Sequence, residues 1–282
     1  MKIISLMDNL KGNYNNLYNE HGLSLYIEKD NKKILFDTGR SDKFIYNASI
    51  LGVSLKDIDA VIISHGHCDH GGGLNSFLKL NSKAKIYIKR ECLKEYYFKV
   101  GLFRNNISIS KKVFQEYSDR IIYIDNLTQI LNGVYIITDI QKYYDIPRGN
   151  KYLKVKEKGK LIQDDFNHEL IMVIKEKSKA CVFTGCSHNG VINMVRTVKE
   201  NFRQVEIKVL IGGFHLVKLP AINFYFSFEK SIIYIINMII DQEIEKIYTA
   251  HCTGEKSYKR FKSILKDKIE YIKLGEEINI RL

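Results

Sequence analysis

His65-Gly66-His67-Cys68-Asp69-His70 gathers three imidazoles and a carboxylate into one short run. With 8 His in 282 residues, composition alone would place an HxHxDH pattern in about 3 of ten thousand such chains. In an extended loop, residues two apart point the same way, so His65 and His67 can bind one ion. The chain then turns into a helix, where Asp69 and His70 can face a second ion beside it. Gly66 keeps the loop uncrowded, and Gly71 to Gly73 let the backbone turn tightly. Neutral imidazoles with a carboxylate suit Zn²⁺, Mn²⁺ or Fe²⁺ rather than Mg²⁺ or Ca²⁺.

One loop cannot fill two coordination spheres, so further ligands must lie downstream. Beyond residue 75 the chain has four histidines. Three follow apolar strand patterns at Gly- or Cys-containing turns: His188 in CVFTGCSHNG, His215 in VLIGGFHL and His251 in IYTAHCTG. The fourth, His168 in DFNHEL, reads as a surface or core histidine.

The elements that must carry these loops are short. Lys2–Met7, Leu23–Glu28, Lys33–Asp37, Ala60–Ser64 and Lys85–Lys89 read as strands from their apolar, β-branched runs. Ser41–Leu51, with Ser41 as N-cap, and Gly73–Leu80 read as helices. In the later half, Glu169–Ile174 and Ala180–Thr184 form a predicted hairpin. Val205–Ile211, Lys246–Ala250 and Ile278–Arg281 read as strands; Val191–Asn201, Tyr225–Asp241 and Glu255–Lys266 read as helices. No repeat of 20–50 residues is present, but the strand-rich order of each half hints at a duplicated layout. A Lys-, Tyr- and Asn-rich middle, about 90–167, reads either as a cover over a site or as sheet edge and solvated loop. The whole is expected to form one domain over 1–282.

The motifs EHGLSLYIE, ILFDTG, SHGHCDHGGGL, FTGCSH, IGGFHL and AHCTG run through nearly the whole chain. Together they resemble the metallo-β-lactamase superfamily, and within it the subgroup named after dihydropterin ribofuranosylaminobenzene 5'-phosphate synthase. The resemblance implies an α/β fold of the four-layer αββα sandwich type, with two divalent transition-metal ions at one edge. Zn²⁺ is the first expectation, with Mn²⁺ or Fe²⁺ as alternatives and a weaker second site. It makes His65 and His67 ligands of the first ion, Asp69 and His70 ligands of the second, and His251 the last ligand of the second. His188 is the candidate third histidine of the first site. The superfamily's bridging Asp follows FTG, whereas this chain has Cys186 there. Either Cys186 is a thiolate ligand or that position is vacant and His188 substitutes.

Asp37 in LFDTG is the candidate carboxylate that fixes a ligand histidine's tautomer; otherwise it simply ends a strand. His215 after Gly212-Gly213 could contact substrate or stabilise developing negative charge. Otherwise it is a polar residue at a turn. Glu20 and His21 form either a turn or the pocket rim. Cys68 and Cys252 read as packing residues, Cys92 and Cys181 as structural.

Composition bounds the rest. Apolar residues at 45% and charged residues at 27% exclude a disordered chain. Five cysteines do not read as a disulfide framework, which favours a reducing cytoplasm. The opening MKIISLMDN is too short an apolar run for a signal peptide. Ser231 to Ile240 falls well below the ~20 residues of a membrane span. The +12 charge reads first as a Lys-rich solvated surface, because no recognised nucleic-acid motif accompanies it; the other readings are a field for an anionic substrate or for nucleic acid. A homodimer is compatible with all of this.

The resemblance implies a metal-dependent hydrolase that uses a metal-bound hydroxide on a phosphate- or carboxylate-bearing molecule. The alternative within enzymes is a synthase condensing a phosphorylated ribosyl-aminobenzoate with a pterin-like partner. A different class, a non-catalytic metal- or nucleic-acid-binding protein, competes less well, because the first ligand loop is intact.

Overall fold

The computed structural model describes residues 1–216 and 229–282, with the backbone alone for 229–231. The chain divides into two compact units. The first comprises Met1–Tyr96, Asn106–Ile124 and Ile272–Arg281; the second comprises Tyr97–Asn105, Asp125–Tyr271 and Leu282.

In the first unit, seven strands lie in the order Glu277–Asn279, Lys2–Met7, Ser24–Lys29, Lys32–Phe36, Ala60–Ile62, Lys85–Ile88, Ile121–Tyr123. The first four pair antiparallel and the last four parallel. Asp30 and Asn31, both at positive φ, close the tight hairpin at residues 29–32. Short polar side chains tolerate that conformation, which is why Asp-Asn stands there. One sheet face packs Ile4, Leu35, Val61 and Ile86 against Phe44 and Ala48 of helix Lys43–Ile50 and Leu74, Phe77 and Leu78 of helix Leu74–Leu80. The spacing of those last three places them on one helical face. Burying each such side chain contributes about 1.5–3 kcal/mol. The opposite face, with Ile3, Leu25, Ile27, Ile34, Phe36 and Ile62, is buried as well.

The second unit repeats the plan. Its strands lie in the order Ile269–Tyr271, Lys246–Thr249, Glu206–Gly212, Lys179–Phe183, Ile171–Glu176, Val134–Ile137, Thr128–Leu131. The first four are parallel and the last four antiparallel. Helices Val191–Asn201, Glu229–Asp241 and Glu255–Leu265 bury Val191, Met194, Val195, Val198, Ile236, Phe261 and Leu265 against it. The duplicated layout hinted at by the sequence is therefore real at the level of sheet order. In each unit the parallel strands end on one edge, and the histidine-bearing loops leave from that edge.

Most predicted elements are present with shifted ends. The first helix starts at Lys43 rather than Ser41, with Asp42 at its N-cap. Ala60–Ile62 is shorter than AVIIS because the chain bends away to bring Ser64 to Asp37. Of the helix predicted over Tyr225–Asp241, residues 225–228 lie outside the described residues; the rest runs Glu229–Asp241. In the middle region the structure adds Glu95–Val100, Phe103–Asn106, Leu153–Glu157 and Lys160–Gln163, which form a four-stranded sheet. Among the described residues, no helix is long and apolar enough to cross a membrane.

Candidate metal centre

In the first unit, the strand register aligns Phe36 with Ile62, so the loops after both strands start side by side. Asp37 sits at φ 61 and is fully buried. A non-glycine residue held in the left-handed region stores strain, which the surrounding bonds must offset. Those bonds are many. The Asp37 carboxylate accepts from Ser64 N at 2.7 Å, from Ser64 Oγ at 2.7 Å and from His70 Nδ1 at 2.6 Å.

Proton accounting follows from donor and acceptor types. The Ser64 hydroxyl has one hydrogen and gives it to Asp37, so it accepts from His65 Nδ1, 2.9 Å away. His65 and His70 therefore both carry a proton on Nδ1, and Nε2 is the nitrogen each offers to a cation. The His65 ring centroid lies 4.1 Å from that of His70 and 4.6 Å from that of His67. Asp69 Oδ2 lies 3.8 Å from His70 Nε2 and 3.2 Å from His21 Nε2. The first unit thus brings His21, Asp37, His65, His67, Asp69 and His70 together. Glu20 has a local role: it accepts from Arg40 N, Ser41 N and Ser41 Oγ, fastening the turn after Asp37.

In the second unit, His188, His215 and His251 follow three adjacent parallel strands and leave from one sheet edge. His188 is buried; its Nδ1 lies 3.0 Å from Asn150 Oδ1, and its ring stacks on Phe166 at 4.6 Å. An amide oxygen only accepts, so this bond also places the proton on Nδ1 and turns Nε2 to a ligand. His188 N and Asn189 N donate to the two oxygens of Glu169, each at 2.8 Å. Burial raises the Glu169 pKa, while those N–H groups oppose the rise. The His215 ring centroid lies 4.2 Å from that of His188. Ligand atoms of Cys186, His215 and Cys252 all lie within 4.8 Å of one another. His251 is buried at the start of the turn after Lys246–Thr249, where its backbone φ is 49. His168 is a core histidine, with Nε2 3.1 Å from the buried Asp164.

Ser64, Asn150 and Glu169 are the residues that sequence reasoning did not single out. Ser64 could have been found, since it directly precedes the ligand loop at a strand end. Asn150 carries no such signal, because 38 positions separate it from His188. The donor sets fit divalent transition metals: imidazoles tied at Nδ1, a carboxylate beside them, and thiols in the second unit.

The family model of the metallo-beta-lactamase superfamily matches residues 18–149. A solved structure described as a metal-dependent hydrolase of the β-lactamase superfamily is 30% identical, aligns over 99% of both chains and gives a TM-score of 0.82. The 7,8-dihydropterin-6-methyl-4-(beta-D-ribofuranosyl)-aminobenzene-5'-phosphate synthase of Methanocaldococcus jannaschii is 26% identical over 99% of this chain and 96% of its own length. Zn²⁺-bound PqqB from Methylobacterium extorquens shares the fold at 13% identity, with a TM-score of 0.61 over 99% of this chain and 100% of that one. The chain belongs to the metallo-β-lactamase superfamily and has its mixed α/β fold.

Proposed function

We propose that this protein is a metal-dependent hydrolase acting on a small anionic molecule that bears a phosphate or carboxylate. The observation that carries the reading is the buried Asp37 carboxylate, which fixes His70 directly and His65 through Ser64. A fold needs no such relay for stability alone, whereas ligand imidazoles need a fixed tautomer. On this reading His65, His67 and His188 hold the first ion, and Asp69, His70 and His251 the second. Zn²⁺ is the first candidate for both, ahead of Mn²⁺ and Fe²⁺. The ions, when bound, supply Lewis acidity and make water a nucleophile at neutral pH.

The chain's own residues supply the rest. Asp37, Ser64 and Asn150 hold the imidazoles in register. Asp69, with His21 against its Oδ2, orients the attacking water toward the electrophilic centre. The +12 charge draws an anionic substrate.

Similarity to the Methanocaldococcus jannaschii synthase over 99% of this chain supports a second reading, in which the same residues organise a condensation. Incubation with phosphoesters and lactones in ¹⁸O-labelled water separates the two. Label in the product, abolished by a chelator and restored by Zn²⁺ or Mn²⁺, is the expected result. Label-free condensation of a ribosyl-aminobenzene phosphate with a pterin would favour the synthase. Protein that retains no transition metal and ignores chelators would overturn both.

A further inference from the structure

Val100, Leu102 and Phe103 stand at the tip of the hairpin made by Glu95–Val100 and Phe103–Asn106, and their exposures are 39%, 102% and 60%. Single exposed apolar residues are ordinary, but a run of them is a patch that asks for a partner. Gly101, between them, has φ 55 and nothing within 4 Å of its would-be Cβ, so the tip stands clear of the protein. We propose that this tip enters the surface of an anionic lipid bilayer, with the four-stranded sheet behind it supplying the opposite charge.

The sheet is basic where it matters. Lys99 and Arg104 flank the apolar tip in sequence, and both are exposed. Buried Phe98, Leu153 and Val155 mark the covered face of the sheet. Side chains alternate along a strand, so Lys99, Lys154 and Lys156 belong to the opposite face. Lys158 and Lys160 lie in and after the turn that joins the other two strands. Lys154 Nζ donates to Gln163 Oε1 at 2.8 Å, a neutral partner that leaves its charge uncancelled. Carboxylates are fewer: Glu95 lies 3.2 Å from Lys111 Nζ, and Glu157 stands opposite Lys160.

That charge decides the occupant. A second copy would bring the same cations face to face, on a chain already at +12. A nucleic acid would match the charge, but Val100 and Leu102 have no ring to stack on a base and no group to bond its edges. Hydrocarbon accepts these side chains, and the headgroups above it attract Lys and Arg. A small apolar anchor holds to a bilayer only weakly, and a basic shoulder is the second signal that makes such contact stable. Among the described residues no helix is long and apolar enough to cross a membrane, so this contact is peripheral. The inference goes beyond the hydrolase reading and does not depend on it.

The chain has no tryptophan, so Phe103→Trp places a single fluorescent reporter at the tip of the full-length protein. The probe is a vesicle of about two parts phosphatidylcholine to one of phosphatidylglycerol. The reporter's emission should shift to the blue on mixing, and the protein should sediment with the vesicles. Vesicles of phosphatidylcholine alone should bind at least about tenfold more weakly. Tyr14→Trp, at another exposed aromatic, is the control and should show no shift. Leu102→Asp/Phe103→Asp should weaken sedimentation by about a hundredfold, and Lys99→Glu/Arg104→Glu by at least about tenfold. The reporter variant keeps an apolar tip, so it covers the case where a charged variant fails to fold. No sedimentation, equal binding to both vesicles, a shift in the Tyr14→Trp control, or unchanged binding by Leu102→Asp/Phe103→Asp would each overturn the proposal. So would a dimer in solution that this double variant dissociates, or RNA that shifts the reporter while vesicles do not. Hydrolysis of a soluble phosphoester lost in the double variant with vesicle binding retained would place the tip at the substrate instead, and would overturn it too.

Discussion

Asp37 Oδ2 lies 2.6 Å from His70 Nδ1, with both side chains shut off from solvent. Because a carboxylate only accepts, this contact determines which His70 nitrogen faces a cation. Asp37→Asn keeps the size but presents an NH₂ where acceptors stood. His70 would then move its proton to Nε2, and the ligand nitrogen would be lost. Metal affinity is expected to fall about 10–100-fold, with hydrolysis falling in parallel. Competitive chelator titration reads the affinity, and imidazole ¹⁵N shifts read the tautomer. Unchanged affinity with Nε2 protonated would remove His70 from the ligand set.

Asn150 does for His188 what Asp37 does for His70. Its Nδ2 donates to the His188 carbonyl oxygen at 2.8 Å and its Oδ1 accepts from the ring at 3.0 Å. Asn150→Ala would strand both buried groups, at a cost of about 1–3 kcal/mol in stability. It would also let the ring turn, and metal affinity is expected to drop at least about tenfold. Denaturant unfolding and a Zn²⁺ titration measure the two effects separately. A stability loss with no change in affinity would show that His188 is held for packing alone.

These contrasts explain what could be read in advance. His65, His67, Asp69 and His70 were legible because their types and spacing are rare and local. Strand-end placement exposed His188, His215 and His251, since an apolar run followed by Gly or Cys is visible in one dimension. Asn150 was not legible, because its role exists only once residues 38 positions apart are folded together. The four-stranded sheet was missed for a different reason. In Leu153–Glu157 only Leu153 and Val155 are buried, so the alternation with Lys154 and Lys156 carries just two apolar residues, too short a pattern to stand out in a Lys-rich stretch. In Phe103–Asn106 every residue is exposed, so no hydrophobic pattern exists to be seen. His168 reads the same as the ligand histidines by type alone; its 3.1 Å contact with Asp164 is what marks it as a core pair.

The thiols should differ from reactive cysteines. Burial, with a smaller push from the Asp69 charge, raises the Cys68 pKa to about 12 in the metal-free chain. Burial also raises the pKa of Cys92 and of Cys181. At pH 8 only about one Cys68 in ten thousand would be thiolate, the form that alkylates. The sign for stability follows: Cys68 contributes below the ordinary thiol pKa and loses that contribution as pH rises through about 12. Iodoacetamide at pH 8 is expected to leave Cys68, Cys92 and Cys181 unmodified in folded apoprotein, and to label all five cysteines in guanidinium. Rapid native labelling of the half-buried Cys68, read by peptide mass spectrometry, would contradict its raised pKa.

Gly212 joins the edge of the second sheet to the His215 loop, and it tests how rigid that junction is. Its φ is 145, and a Cβ built there would lie 2.1 Å from the Thr184 carbonyl oxygen and 2.3 Å from Thr184 Oγ1. Its carbonyl oxygen also accepts from Thr249 Oγ1 and Ala250 N, so the backbone is tied to the next strand. Gly212→Ala must therefore push apart strands that carry both the Cys186 and His251 turns, and should cost about 3 kcal/mol or more. Gly52→Ala is the control, because Gly52 has φ 71 but nothing within 4 Å of its would-be Cβ. It should cost only about 1 kcal/mol, from the left-handed backbone alone. Urea unfolding of both variants measures the difference. Equal costs would mean that the junction yields freely, and that the positions of Cys186, His215 and His251 are not set by the sheet edge.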